Sequence, residues 1–285
     1  MGFAGVCLLP DAGPSRVRVT DMDDLELPYV QVNGHAIVPD PLPTMLMGGY
    51  GHMTAMQVRN SSVRGLGLHL ARLKAANREL FGQELDGRIV VGRMRQALDE
   101  AGVRDASVRV YVYAPPDGDS PVTTVVVRPP VPAPTSPQRL CSVPYVRPFA
   151  HLKHVGVFGQ AHHLRRVQAG GFDEALLVGA DGLVTEGAIT NVGFVEGRAV
   201  VWPEGPSLDG ITMLLLRREL EQAGMTWRQQ PVRLDDVARF DAAFVSNSTG
   251  IAPIARIDDI SFPHDDYLVR VLPKLYEQVP WDVLA

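Results

Sequence analysis

A proline-rich segment in the middle of the chain limits its fold more than any other sequence feature. Residues 129–137 contain five prolines, at positions 129, 130, 132, 134 and 137. Proline has no backbone N–H and fixes φ, so this segment forms neither a helix nor a central strand. It predicts an extended, stiff connector. We therefore predict an N-terminal domain at 1–131, a linker at 132–137 and a C-terminal domain at 138–285.

The composition allows two modest domains and excludes several function classes. The 285 residues are 46% hydrophobic and 21% charged, which suffices for proper cores. The net charge of -5 argues against binding to nucleic acid or to an anionic membrane surface. Two cysteines are too few for a disulfide scaffold and favour a reducing compartment. No stretch approaches 18 apolar residues, and Met1–Pro14 lacks the charged start of a signal peptide. These features predict a cytoplasmic protein.

Hydrophobic periodicity predicts an α+β fold rather than a doubly wound parallel sheet, because several strands form hairpins. The valines at 108, 110 and 112 alternate with polar and aromatic residues, which is typical of a strand, and a turn follows at 115–118. The other predicted strands lie at 122–127, 174–179, 183–186, 192–202 (a hairpin) and 242–246. The predicted helices lie at 65–82, 88–101, 160–169, 211–223 and about 265–278.

Lysine is rare in this chain. Of 27 basic residues only three are lysines, Lys74, Lys153 and Lys274. Lysine differs from arginine because its amine can lose its proton and attack a carbonyl. Lys74 and Lys274 lie at predicted solvent-exposed helix positions, whereas Lys153 is flanked by apolar and glycine-rich sequence. Any chemistry that needs a primary amine therefore points to Lys153.

Three further features, with Lys153, meet the needs of pyridoxal phosphate. Glu186 lies at the end of a predicted strand, and a carboxylate there can keep a pyridine nitrogen protonated. Gly210 precedes a helix whose first N–H groups suit a phosphate. Ser248 and Thr249 offer more donors in a polar turn. Each feature is common by itself, and it is their order and spacing that indicate a pyridoxal-phosphate site.

The chain resembles the fold-type IV pyridoxal-phosphate enzymes, the class IV aminotransferase family, over residues 48–258. This family includes branched-chain and D-amino-acid aminotransferases and aminodeoxychorismate lyase. The resemblance implies a smaller N-terminal domain that carries Arg72 and a larger C-terminal domain that carries the cofactor-binding motifs. It also implies a homodimer. The motifs that carry it lie at 69–73, 152–154, 171–177, 181–187 with Asn191, 208–212 and 251–254.

The family motifs imply roles for particular residues. Lys153 would form the Schiff base with pyridoxal 5'-phosphate and move the proton of the substrate α-carbon. Glu186 would pair with the pyridine nitrogen. The Thr212 hydroxyl and the amides beside it would donate to the phosphate. The implied phosphate-binding residues are Arg72, Ile211, Thr212, Asn247 and Ser248.

The resemblance implies an aminotransferase that moves an amino group between an amino acid and a 2-keto acid. Two departures from the family pattern concern the reaction. Met213 stands where many members have Arg, and Met53-Thr54 replaces a Phe-Glu or Tyr-Glu pair. Because Met53-Thr54 is closer to the pattern of aminodeoxychorismate lyase, a lyase that eliminates pyruvate is the alternative. A non-catalytic protein on the same fold is a second alternative.

The sequence predicts no metal site, because His162 and His163 are adjacent on a helix and point about 100° apart. It leaves the substrate undefined. Four residues are candidates for the mouth of the site, only because they lie near the motifs in the sequence: Tyr50, His52, Arg59 and Arg147.

Overall fold

The structure is a computed structural model that describes residues 29–32, 34–36, 49–114, 121–134 and 136–284. The predicted turn at 115–118 and the segment Met1–Pro14 lie outside the described residues. Two compact units are present. The N-terminal unit contains the described residues of Arg18–Pro132 together with Leu152–Gly156 and Pro280–Ala285, and the C-terminal unit contains those of Ala133–His151 and Val157–Val279.

Both units contain α-helices and β-strands. The first eight are β1 Tyr29–Val32, β2 His35–Ala36, β3 His52–Arg59, β4 Ser62–Arg64, α1 Leu66–Phe81, α2 Gly87–Glu100, β5 Ala106–Tyr113 and β6 Val122–Arg128. The others are β7 Gln138–Pro144, α3 Phe158–Ala169, β8 Glu174–Val178, β9 Val184–Gly187, β10 Asn191–Glu196, β11 Ala199–Pro203, α4 Ile211–Gln222, β12 Thr226–Gln230, a 3₁₀ helix Leu234–Arg239, β13 Ala242–Asn247, β14 Gly250–Ile257, β15 Ile260–Ser261, α5 Tyr267–Gln278 and β16 Trp281–Val283.

An antiparallel sheet forms the N-terminal unit, with the strand order β16-β4-β3-β5-β6-β1-β2. Side chains along β3 and β5 alternate between buried and half-buried positions, as the sequence pattern of β5 predicts. The buried face packs with residues of α1 and α2 into one core. Helix α1 ends at Gly82, which takes a left-handed conformation with φ 64 that favours glycine.

Backbone hydrogen bonds tie the segment around Lys153 to strand β3 of the N-terminal unit. The N–H of Met53 donates to the Lys153 carbonyl at 2.8 Å, and the N–H of Val155 donates to the Gly51 carbonyl at 3.0 Å. Leu152–Gly156 is therefore part of the N-terminal unit, whereas the domain boundaries predicted from the sequence assigned Lys153 to the C-terminal domain. Chain order alone does not predict this placement, because the backbone pairing joins residues about 100 positions apart.

The C-terminal unit contains a mixed sheet with the order β12-β11-β10-β13-β14-β7-β8-β9, and β15 pairs with β14. Pairs β11–β12, β14–β7 and β7–β8 are parallel, and the other pairs are antiparallel. One core packs around Phe194 and Ile254, and a second contains buried residues of α4 and α5. Cys141 is buried in this unit. No helix in the described ranges is long and apolar enough to cross a bilayer.

Candidate functional site

Two cations of the N-terminal unit lie around one buried histidine. His69 and Arg72 are three residues apart on α1, so their side chains share a helix face. The His69 imidazole is 4% exposed. Burial, with the positive charges of Arg72 and Lys153, lowers the pKa of His69 to about 3. The structure therefore brings two of the predicted residues, Arg72 and Lys153, near the same neutral ring.

The buried hydroxyl of Thr54 holds the His69 ring. Thr54 Oγ1 lies 2.6 Å from His69 Nδ1, and both side chains are buried. Thr54 follows Met53, whose N–H bonds to the Lys153 carbonyl. Strand β3 therefore fixes both the histidine and the backbone of the lysine. The spacing His69-x-x-Arg72 was a sequence signal for this histidine, but its partner on β3 was not predictable from spacing.

Sequence proximity suggested four residues for the mouth of the site, and the structure places them in different surroundings. His52 is fully buried, and burial lowers its pKa to about 4, which a contact with Asn77 partly offsets. Arg59 donates to the carbonyls of Val58 and Val131. Tyr50 is 61% exposed. Of these three residues, Tyr50 and Arg59 are accessible to solvent and His52 is not.

Arg147, the fourth of these, is buried in the C-terminal unit against Glu186. Arg147 Nε donates to Glu186 Oε1 at 2.9 Å, and the two side chains are 4% and 5% exposed. The other oxygen, Glu186 Oε2, accepts the N–H of Leu208 at 3.1 Å. Glu186 lies on β9, at the strand end that the sequence predicts. Its buried carboxylate is held from two sides.

The residue that donates to this carboxylate lies just before the start of helix α4. Leu208, which donates to Glu186, lies two residues before Gly210, the residue that caps the helix without a side-chain hydrogen bond. The first N–H groups of a helix have no intrahelical acceptor. Asn191 Nδ2 donates to the Leu208 carbonyl at 2.7 Å, and its Oδ1 occupies the space that a Cβ at position 210 needs. Glycine is therefore required where the helix begins.

The predicted phosphate-binding residues of the C-terminal unit lie together. Thr212 Oγ1 donates to the Asn247 carbonyl at 2.7 Å, so the start of α4 contacts the end of β13. Asn247 Oδ1 accepts the N–H and hydroxyl of Thr249 at 2.8 and 2.6 Å, and Ser248 is half-buried between them. A hydroxyl has a single hydrogen to donate. The Thr212 hydroxyl uses it on Asn247, whereas the resemblance implied a bond to phosphate.

A second buried carboxylate, Glu174, holds the loop that follows Glu186. Glu174 Oε2 accepts the N–H of Ile189 at 3.3 Å and the hydroxyl of Thr190 at 3.2 Å. Burial raises the pKa of Glu174 to about 7, although these hydrogen bonds oppose the rise. The loop between β9 and β10 is thus attached to the first residue of β8.

The seven predicted site residues divide between the units. Arg72 and Lys153 lie in the N-terminal unit, and the C-terminal unit contains the other five, Glu186, Ile211, Thr212, Asn247 and Ser248. Sequence reasoning missed Thr54 and His69 as a pair, and it missed Arg147 as the partner of Glu186.

Solved structures of low sequence identity share this fold. A branched-chain amino acid aminotransferase from the organism abbreviated T.th., complexed with N-(5'-phosphopyridoxyl)-L-glutamate, matches with a TM-score of 0.77 and 17% identity over 88% of this chain and 93% of that one. A putative 4-amino-4-deoxychorismate lyase from Legionella pneumophila matches with a TM-score of 0.76 and 22% identity over 86% and 97%. The predicted mixed α and β fold of fold-type IV is therefore confirmed.

Sequence comparison identifies a curated relative and a family. A D-alanine aminotransferase from Bacillus licheniformis is 32% identical over 89 residues, which are 30% of this chain and 31% of the relative. The match thus spans about a third of the relative's length. The model of the amino-transferase class IV family matches residues 51–257, which include every predicted site residue. The chain belongs to the amino-transferase class IV family, as the sequence motifs predicted.

Proposed function

We propose that this protein is a pyridoxal-phosphate-dependent aminotransferase that moves an amino group between an amino acid and a 2-keto acid. One observation carries the proposal beyond the family match. The buried carboxylate of Glu186 accepts a hydrogen bond from the N–H of Leu208, which lies two residues before Gly210 at the uncapped start of α4, within the C-terminal unit. An anion for a pyridine nitrogen and amides for a phosphate are the two things that this cofactor needs at its ends.

The residues fit the cofactor chemically. Each Glu186 oxygen accepts one described hydrogen bond and has capacity for another. The start of α4 offers backbone donors at a residue that cannot carry a side chain. Arg72 adds a guanidinium, whose planar fork suits a phosphate. We assign the phosphate to Arg72, Ile211, Thr212, Asn247 and Ser248, with backbone amides rather than the Thr212 hydrogen as the donors of α4.

The proposed chemistry uses one amine and one carboxylate. When bound, the protonated pyridine ring of the cofactor accepts the electron pair that remains after an α-proton is removed. Lys153 Nζ would hold the cofactor covalently until the amine of the amino donor displaces it; the freed lysine amine would then remove the α-proton as general base and return a proton in the reverse half-reaction. Glu186 keeps the ring nitrogen protonated. The neutral His69 ring beside the lysine adds no positive charge to that region.

A spectral titration tests the proposal. Purified protein with added pyridoxal phosphate should show an absorbance band at roughly 410–430 nm, as expected from cofactor chemistry. A panel of L- and D-amino acids should then convert the cofactor to pyridoxamine phosphate in a single turnover. Protein that neither binds pyridoxal phosphate nor converts it with any amino donor contradicts the proposal and supports the non-catalytic alternative.

A lyase that eliminates pyruvate is the second candidate, and Thr54 favours it. The Met53-Thr54 pair resembles the lyase pattern, and the Thr54 hydroxyl contacts the ring of His69 rather than lying at the surface. Elimination leaves the cofactor in its pyridoxal form. Pyruvate release from aminodeoxychorismate without pyridoxamine phosphate would therefore identify the lyase, and accumulation of pyridoxamine phosphate would identify the transaminase.

We also propose a cytoplasmic homodimer, on the basis of the family resemblance and the cysteine content. Sedimentation equilibrium of the purified protein should give a mass of about twice 31.0 kDa. A mass of a single chain at micromolar concentration would contradict the dimer. Fractionation of the source cells tests the location.

A further inference from the structure

Arg147 holds Glu186 through a geometry that fixes the direction of the carboxylate. Its Nε donates to Oε1 at 2.9 Å, and its Nη2 donates to the carbonyl of Ala150. The guanidinium is planar and its donors form a rigid fork, so two acceptors determine its orientation. With Leu208 on Oε2, each oxygen of Glu186 has a described donor. The carboxylate is therefore oriented by Arg147 and by the segment that precedes α4.

Stability alone is a weak reason for this ion pair. Both side chains are at least 95% buried, and the loss of hydration offsets most of the attraction of such a pair. Apolar residues of similar volume often replace a buried pair without loss of stability, whereas removal of one partner leaves an uncompensated charge. A charged Glu186 needs a buried cation, and Arg147 supplies it. The arrangement is explained if the charge on Glu186 is itself required.

We propose that Arg147 is a positioning residue for the reaction, which keeps Glu186 charged and oriented toward the protonated pyridine nitrogen of bound pyridoxal phosphate. This inference rests on the proposed function. Without Arg147, the buried Glu186 would neutralise by taking up a proton. A protonated Glu186 would donate a hydrogen bond to the ring nitrogen and would no longer keep it protonated. Arg147 would thus act on the reaction only through Glu186.

Four variants test the role: Arg147→Met, Arg147→Lys, Glu186→Gln and the double variant with Arg147→Met and Glu186→Gln. The measurements are the absorbance spectrum and Kd of added pyridoxal phosphate, the thermal unfolding of cofactor-free protein, and kcat and KM with an amino donor. We expect Arg147→Met to change the cofactor spectrum and to lower kcat by about 10²-fold with little change in KM. Arg147→Lys should recover part of the rate because it keeps a charge.

The double variant separates positioning from folding. It contains no uncompensated buried charge, so it should fold even if Arg147→Met alone does not. We expect its kcat and spectrum to match those of Glu186→Gln, because interacting residues give non-additive losses. A further loss of kcat beyond Glu186→Gln would show that Arg147 acts by another route and would overturn the inference.

A matched control is available in the same unit. Arg139 forms an ion pair with Asp173 at 3.0 Å, but its side chain is 48% exposed. Arg139→Met should leave the cofactor spectrum and kcat unchanged. If the wild-type protein shows a cofactor band and Arg147→Met has the same spectrum and kcat, the positioning role is contradicted but the proposed function is not. Wild-type protein that binds no pyridoxal phosphate contradicts the proposed function, and this inference with it.

Discussion

The two units of this chain bury opposite kinds of titratable group. The N-terminal unit buries His52 and His69 as neutral rings, and burial lowers the pKa of each. The C-terminal unit buries two carboxylates, Glu174 with a raised pKa and Glu186 in an ion pair. The N-terminal unit thus places cations beside the uncharged ring of His69, and the C-terminal unit places the Glu186 carboxylate beside Arg147 and the N–H of Leu208. Within each unit, the charge of a buried group is thus set by the contacts of that unit.

The largest expected effect concerns the amine of the N-terminal unit. Lys153→Ala should abolish the cofactor band and lower the transfer rate by about 10²- to 10⁴-fold, the usual contribution of a general base. Lys74→Ala and Lys274→Ala are matched controls, since both side chains are exposed, one in each unit. Single-turnover absorbance measures all three variants. A Lys153→Ala protein that keeps its band and rate would remove the amine from the proposed mechanism.

The buried carboxylate Glu174 should make the C-terminal unit less stable as pH rises. Its folded pKa of about 7 lies above the ordinary 4.5, so its stabilising contribution is complete below pH 4.5 and is lost as pH rises through 7. The stabilising contributions of His52 and His69 have the opposite pH dependence. They are complete above pH 6.5 and are lost as the pH falls toward 4 for His52 and 3 for His69.

Glu174→Gln isolates the carboxylate contribution. The unfolding free energy of the variant minus that of the wild type should rise by up to about 3 kcal/mol between pH 4.5 and pH 8. Urea unfolding at a series of pH values measures this difference. The change from Glu to Gln can also disturb the bonds to Ile189 and Thr190, so only the slope with pH is informative. A flat difference would mean that Glu174 titrates normally in the folded protein.

Arg72 should contribute to cofactor affinity, and Arg78 on the same helix should not. Arg72→Gln removes a charged hydrogen-bond donor for the phosphate, which costs about 1.5–3 kcal/mol and weakens pyridoxal phosphate binding by about 10- to 100-fold. Arg78 is exposed and pairs with Glu84 at the surface. Titration of cofactor-free protein gives both dissociation constants. Equal affinities for the two variants would show that the cationic region of the N-terminal unit does not bind the phosphate.

The smallest effect concerns the hydrogen bond between Thr54 and His69. Thr54→Val leaves the buried His69 nitrogen without this partner and should cost about 1–3 kcal/mol of unfolding free energy. Thr124→Val, in the same sheet, is the control. The Thr124 hydroxyl has no hydrogen-bond partner within the described part of the chain, so its loss should be nearly neutral. Denaturant unfolding compares them, and similar losses would mean that the 2.6 Å contact adds no stability.

Local sequence signals predicted the five α-helices of the described residues and seven of their strands, but not β1 to β4, β7, β12 or β14 to β16. The alternation at 107–113 became β5, and the amphipathic pattern at 211–223 became α4. Strand β14 was missed because it contains Pro253, which argues against a central strand, although β14 lies between β13 and β7. The β14–β7 pairing is irregular between Ile254 and Arg256, so its pattern does not follow a simple period of two. Pairing with neighbouring strands stabilised a segment whose own sequence disfavoured it.

The sequence nominated candidate site residues where one residue type or one motif was sufficient. Three lysines left few amines, and the motif order selected Lys153 and Glu186 and identified the family. The partners of those residues were decided by the tertiary structure: Thr54 for His69, and Arg147 for Glu186, 39 positions away. The tertiary structure also placed Lys153 with the N-terminal unit. The amino-acid sequence determines which groups are available, but a hydrogen bond of 2.6–2.9 Å depends on strand register and helix packing, which only the folded chain sets.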